Sequence, residues 1–187
     1  MIYRFLPESD EGLRRCRQLG IRYSRLFLQV NIARQRMNLY RKLPNVHKER
    51  KYEFCGEYLI STSRYGIGSL EGSKKTPLGL HRIARKVGGG WPQGTVFKGR
   101  VPVGAVWAGM PQAKIAHRIL WLEGLEAGFN QGDEVDTFKR YIYIHGIGEE
   151  LTLGRPSSCG CIHLAAADLM PLYENCAEGD LVWIEER

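Results

Sequence analysis

The sequence predicts a mainly β fold: β-sandwich-like mixed sheets with a short N-terminal helix and a second short helix following Cys161. Three observations carry that expectation. Glycine occupies 22 of 187 positions, well above the usual ~7%, which suits a turn-rich chain better than a helical bundle. Short runs of alternating β-branched and aromatic residues recur from Leu26 to Ile184. Hydrophobic residues at 43% and charged residues at 25% are ordinary for a globular chain, which excludes disorder. A chain of this length buries an adequate core without disulfides or a structural metal, and it suits one domain better than two.

The elements follow in order. Pro7 to Gly20 reads as a helix, with Ser9 or Asp10 as its cap, acids in the first turn and Gly20 as its stop. Residues 1–25 are therefore read as a helical extension and 26–187 as the main domain. Leu26–Ile32 alternates like a strand, Met37–Tyr40 is its partner, and Tyr52–Ser61 is another strand weakened at Gly56. A loop runs from Arg64 to Lys75, and Thr76-Pro77-Leu78-Gly79 suits a type I turn. His81–Ala84 starts a strand, residues 87–92 form a loop, and 95–107 is β-prone but broken by Pro102 and Gly104. Arg118–Leu122 and Tyr141–His145 are the strongest strand candidates. Ala165–Cys176 is the second helix, with Pro171 early enough to bend it without abolishing it, and Leu181–Ile184 closes the chain.

Charge is unevenly spread. Residues 1–52 carry 13 Lys and Arg against 4 Asp and Glu, and the rest carries 14 against 16. A basic end of this kind draws in nucleic acid or an anionic surface, or is simply a solvated face. No RNA-binding or zinc-finger pattern accompanies it, so no nucleic-acid partner is expected. The five cysteines (Cys16, Cys55, Cys159, Cys161, Cys176) are odd in number and irregularly spaced, which does not look like a disulfide framework. No apolar run approaches the ~20 residues of a membrane span, and Met1 to Glu8 lacks the apolar stretch of a secretory signal. A cytoplasmic location is the expectation, replaced by periplasm or cell wall if the native amino terminus differs.

The glycine-rich stretch 66–76 fails as a phosphate loop, because Ser73 rather than Lys follows Gly72. Loop scaffolding is the better reading. The segment Ser157-Ser158-Cys159-Gly160-Cys161-Ile162-His163-Leu164 is more informative. Small residues around Gly160 let the backbone approach a ligand and aim successive N–H groups one way, as an oxyanion site requires. Cys161 precedes a helix whose dipole is expected to lower its pKa. His145 ends a strong strand sixteen residues upstream, and thiol plus imidazole is the minimal pair for acyl transfer. On spacing alone, Cys161 is equally a buried small residue. Cys159, Cys161, His163 and His145 also make a candidate metal set, although C-x-C-x-H is an uncommon zinc spacing.

Tyr141-Ile142-Tyr143-Ile144-His145-Gly146 followed by Ser158-Cys159-Gly160-Cys161-Ile162 resembles the L,D-transpeptidase catalytic domain of the YkuD type. Ser61-Thr62-Ser63, Lys75-Thr76-Pro77-Leu78-Gly79 and Arg118-Ile119-Leu120-Trp121-Leu122-Glu123-Gly124 add to the match, so the resemblance spans residues 26–184. Two positions depart from the family pattern. Cys159 stands where His is common, and His163 stands where Arg or Asn is common. Neutral His is the weaker partner for a substrate carboxylate.

The resemblance implies a cysteine acyl-enzyme acting on the tetrapeptide stems of peptidoglycan, without metal or cofactor. It implies Cys161 as nucleophile, His145 as base, and a backbone carbonyl near Gly146 orienting the ring. Gly160 and Cys161 would supply the oxyanion N–H groups, and Ser158 and His163 would touch substrate. Carbapenem-type inhibitors would acylate the same thiol. Water as acceptor, giving an L,D-carboxypeptidase, is favoured on the missing export signal. An amine acceptor would make cross-links. The non-enzymatic alternative is an anionic-surface or nucleic-acid binder using residues 1–52. Cys159 is also placed to form a disulfide with an easily oxidised, low-pKa Cys161.

Overall fold

The structure is a computed structural model and describes residues 5–7, 10–44 and 50–187. Its strands are β1 (Phe5–Pro7), β2 (Leu26–Asn31), β3 (Arg36–Lys42), β4 (Arg50–Ser61), β5 (Gly79–Val87), β6 (Thr95–Lys98), β7 (Val101–Ala105), β8 (Ala116–Gly124), β9 (Tyr143–Gly146), β10 (Ile162–Leu164) and β11 (Leu181–Glu185). The α-helices are α1 (Glu11–Gln18) and α2 (Ala166–Asn175). Strands β5, β11, β2, β3, β4, β10, β9 and β8 pair in that order, and β8 pairs back with β5. The mixed sheet therefore closes on itself, with the short β1 and β7 left at its margins. The β9–β10 and β2–β11 pairs are parallel.

Alternation along the strands sorts side chains into two faces. Leu28 and Val30 of β2, Leu120 and Leu122 of β8, Ile144 of β9, Ile162 and Leu164 of β10, and Val182 and Ile184 of β11 join one core, together with Leu169 and Leu172 of α2. On the opposite face of β2, β3 and β11, Phe27, Tyr40, Leu181 and Trp183 pack beneath Leu13 and Cys16 of α1. A third cluster of Phe97, Ile119, Trp121 and Tyr143 lies on the outer face of β8 and β9.

Local chemistry accounts for most boundaries. Asp10 caps α1 by accepting the Leu13 N–H at 3.2 Å, and Gly20 turns the chain with φ +67° just after the helix. The alternative cap, Ser9, lies outside the described residues. Residues 95–107 resolve into the β6–β7 hairpin, turned by Gly99 and Arg100, both at positive φ. Pro102 fits β7 because that strand lies at the end of the sheet order.

Two expectations need correction. Thr76 to Gly79 is not a turn: Thr76 bridges Ile67, and Gly79 already opens β5. The strand expected from Tyr141 begins at Tyr143, because Tyr141 itself takes φ +56° in a turn.

The N-terminal segment is more than a helix, and it shares the domain's core. Its β1 pairs with β4, and Gly12 of α1 packs directly against side chains of the sheet. A Cβ there would lie 2.8 Å from Phe27 Cζ and 2.8 Å from Trp183 Cγ. Leu13, fully buried in this cluster, is expected to cost about 2–5 kcal/mol on Leu13→Ala. Gly12→Ala is expected to cost about 1–3 kcal/mol through overpacking. Urea unfolding of the full chain checks both, and an unchanged midpoint would mean that α1 is a dispensable appendage.

Candidate active site

Strand alternation and one register place the site. Ile142, Ile144, Ile162 and Leu164 join the inner core, so Tyr143, His145, Cys161 and His163 fall on the outer face. The parallel pairing sets His163 directly beside His145, with ring centroids 4.8 Å apart at an interplanar angle of 62°.

The half-buried Cys161 thiol donates to the Tyr141 carbonyl and accepts from the Tyr143 N–H, each at 3.4 Å. Burial pushes its pKa up to about 11, and the Tyr143 N–H opposes this only in part. The expected help from a helix dipole is absent: β10 intervenes and α2 starts only at Ala166. A thiol shifted upward is also the opposite of the easily oxidised one that a Cys159–Cys161 redox pair was expected to need.

His145 is 2% exposed, and its Nδ1 lies 2.8 Å from the Gly146 carbonyl. A carbonyl only accepts, so Nδ1 carries the proton and Nε2 is left basic. Burial pulls the ring's pKa down to about 4, partly offset by that hydrogen bond. His163 is pulled to about 3 by burial, then by the charges of His145 and Arg64. Its Nδ1 is buried without a hydrogen-bond partner. Both rings are neutral at neutral pH.

Backbone and hydroxyl contacts hold the turn that carries Cys161. Ser158 Oγ donates to the Cys161 carbonyl at 2.6 Å and accepts the Gly160 N–H at 3.2 Å. Thr76 Oγ1 donates to the Gly160 carbonyl at 3.0 Å and accepts the Ser63 N–H at 3.0 Å. Gly160 sits at φ +121°, and a Cβ there would lie 3.3 Å from the Lys75 carbonyl. Arg140 ties the glycine-rich loop down by donating to the carbonyls of Lys75 at 2.7 Å and Gly68 at 3.3 Å. The loop is scaffolding, as its sequence indicated.

Two residues expected at the substrate are engaged within the turn. Ser158 is 2% exposed with its hydroxyl bonded to the backbone that carries Cys161. The Gly160 N–H is taken by Ser158, whereas the Cys161 N–H has no backbone or side-chain acceptor among the described residues.

A pocket of about 560 Å³ opens over this face. Its lining includes Cys161, His145, His163, Cys159, Arg64 and Lys114. Among the described residues no group of three or more His, Cys, Asp or Glu is arranged to hold a metal ion, so the spacing of Cys159, Cys161, His163 and His145 does not amount to a ligand set.

Residues 25–184 match the family model for the YkuD L,D-transpeptidase catalytic domain. The chain belongs to the YkuD family. Solved structures similar to this YkuD domain include Bd1075 of Bdellovibrio bacteriovorus, at 14% identity and TM-score 0.54, covering 88% of this chain and 49% of that one. The helical cell shape determining protein Pgp2 of Campylobacter jejuni is similar at 18% identity and TM-score 0.53, covering 87% and 48%. L,D-transpeptidase 3 of Mycobacterium tuberculosis, with a faropenem-derived adduct, is similar at 17% identity and TM-score 0.50, covering 87% and 60%. At these identities the likeness is one of fold, and the chain spans about half to three-fifths of those proteins' length. No curated protein matches the chain.

Behind the pocket of the YkuD domain lies a buried histidine that sequence reasoning missed, His117. It takes φ +70° where the β8–β9 register shifts. Its Nδ1 accepts the Gly94 N–H at 2.9 Å, and its Nε2 lies 3.2 Å from the Ile147 carbonyl. A Cβ on Gly146 would lie 2.5 Å from His117 Cδ2, so this ring packs directly under the residue that orients His145. The sequence signal was available as the one histidine of the Ala116–Gly124 run.

Three of the thirteen basic residues of the amino-terminal stretch are held in ion pairs. Arg15 pairs with Glu126 at 2.5 Å, Arg41 with Glu53 at 3.0 Å and Arg36 with Glu57 at 3.5 Å. Among the described residues no helix is long and apolar enough to cross a membrane.

The resting site of the YkuD domain is thus a neutral thiol beside a neutral imidazole between about pH 4 and about pH 11. Below its pKa a thiol's reactive fraction grows about tenfold per pH unit. Iodoacetamide labelling of Cys161, read by peptide mass spectrometry, is therefore expected to accelerate steadily from pH 7 to pH 10. A plateau already at pH 7 would show a preformed thiolate.

Proposed function

We propose that the protein is a cysteine acyl-transfer enzyme acting on peptidoglycan tetrapeptide stems, with water as the acceptor. The observation that carries this reading is the shared pocket of Cys161 and His145, with His145 Nδ1 tied to a backbone carbonyl so that the basic nitrogen is free for chemistry. Family membership supports the substrate class. A pocket of about 560 Å³ suits the end of one stem, which supports a small acceptor over a second stem.

Cys161 Sγ attacks the carbonyl of the stem's third, diamino-acid residue. Because thiol and imidazole are both neutral at rest, a preformed ion pair is uphill, and the proton passes to His145 Nε2 as the C–S bond forms. The developing oxyanion accepts the Cys161 N–H. The protonated imidazole then gives its proton to the departing D-alanine amine, leaving a thioester. Water, deprotonated by His145, attacks that thioester to release the tripeptide and the free thiol. An amine from a second stem would instead yield a cross-link.

Cys161→Ala is expected to abolish release of D-alanine, with Cys55→Ala unchanged. His145→Ala is expected to cost about 10²–10⁴ in rate. The Mycobacterium tuberculosis structure carries a faropenem-derived adduct, and a carbapenem should likewise add its mass at Cys161. Full activity in Cys161→Ala would reject the mechanism.

Product analysis decides the acceptor. Given tetrapeptide with an amine-bearing second stem, the protein is expected to yield mainly tripeptide and D-alanine by mass. Cross-linked dimer as the major product would replace water by an amine.

A further inference from the structure

An L,D-cleaving enzyme must hold a donor that ends in a carboxylate, and an acidic diamino acid brings a second one. The position two after Cys161 carries no charge for that purpose, since His163 is neutral. Its Nδ1 is buried without a partner, so the anion must be met elsewhere in the pocket.

The geometry points to Arg64 as the carboxylate receptor of this site and a determinant of its specificity. This deepens the stem-peptide reading above and rests on it. Arg64 lines the same pocket as Cys161, His145 and His163. Its backbone is rigidly seated: the Arg64 N–H donates to the Ser158 carbonyl at 3.1 Å, and Ser63 bridges Ser158. The Arg64 backbone is thereby held against Ser158, three positions before Cys161 in the chain.

Arg64 Nε donates to the Ser157 carbonyl at 2.9 Å, which orients the fork and leaves both terminal NH₂ groups uncommitted. Among the described residues Arg64 has no carboxylate partner; its other contact is a loose one, 6.0 Å above the Tyr65 ring. A planar fork with two free NH₂ groups suits a carboxylate held bidentately. Lys114 is also in the lining and is exposed like Arg64, but it is a point charge with no such anchor. Glu149 is the acid among the lining residues, and a carboxylate there disfavours an anion next to it.

Three stems test this on the full chain: the free tetrapeptide, its D-alanine amide, and the side-chain amide of its third residue. Arg64→Gln is expected to lower kcat/KM on the free tetrapeptide about 10- to 100-fold, mainly through KM. Wild-type protein should lose a similar factor on one of the two amides, and on that amide Arg64→Gln should add less than about twofold. The insensitive amide names the carboxylate. Equal losses on all three stems would reduce Arg64 to a structural brace, and no loss on the free stem would exclude it. Either result overturns the inference. Wild-type protein that cleaves none of the stems would instead reject the acyl-transfer reading, and this inference with it.

Discussion

The parallel register between β9 and β10 is the constraint on which the rest depends. It sets His163 beside His145 and carries Cys161 alongside Tyr143. A slip of β10 by one residue would turn His163 and the adjoining thiol toward the core and expose Ile162 and Leu164. Those two side chains are fully buried, and each is worth roughly 1.5–3 kcal/mol for staying inside. The apolar side of two short strands thus enforces the position of the reactive side. β10 is three residues long, too short to hold itself, and it is clamped on its other edge where His163 pairs with Ser61 of β4.

Placing the reactive groups on a covered outer face has a definite electrostatic consequence. Desolvation raises the thiol's pKa and lowers that of both imidazoles. A carboxylate behind His145 would restore an ion pair, but the Gly146 carbonyl stands there instead. A carbonyl fixes the tautomer without supplying a full charge, so charge appears only as the reaction proceeds. The Arg140 guanidinium, whose field lowers the Cys161 pKa slightly, is the counterweight, and it is committed to loop carbonyls.

How far the sequence revealed this varied with the kind of physics involved. Leu26–Asn31 was legible through alternation, and the Arg118–Leu122 part of β8, buried throughout, through its short apolar run Ile119–Leu122. The capping of α1 by Asp10 was legible because a cap is a local hydrogen bond. That Cys161 and His145 would share a pocket was legible through motif resemblance. What stayed hidden was set by distant partners. Nothing near Ser158 in sequence says that its hydroxyl faces Gly160 and Cys161 rather than the pocket. The intended dipole effect on Cys161 failed because three residues of strand were invisible between a cysteine and a helix. His117 was missed because its left-handed backbone arises from a bulge between β8 and β9, which only the sheet reveals. The N-terminal helix looked separable because Gly12 against Trp183 joins residues 171 positions apart.

The bracing of the nucleophile turn explains why a glycine-rich loop lies next to it. The turn must present one amide outward and hold Gly160 at a left-handed φ that apolar packing alone would not select. Directional hydrogen bonds do that. Ser158 acts from within the turn and Thr76 from the loop, while Ser63, from the end of β4, accepts nothing from the turn but donates to the Lys74 carbonyl at 2.6 Å. Glycines at 66, 68 and 72 let the loop fold back so that Thr76 reaches both the Ser63 N–H and the Gly160 carbonyl. Three segments far apart in the chain thus meet at one threonine hydroxyl. Because the closed ring keeps its own core dry, this polar scaffold can stand on the outside, where a large substrate has access to it. The fold separates the two tasks: apolar alternation sets the register, and the hydroxyl network sets the angle at which Cys161 is offered.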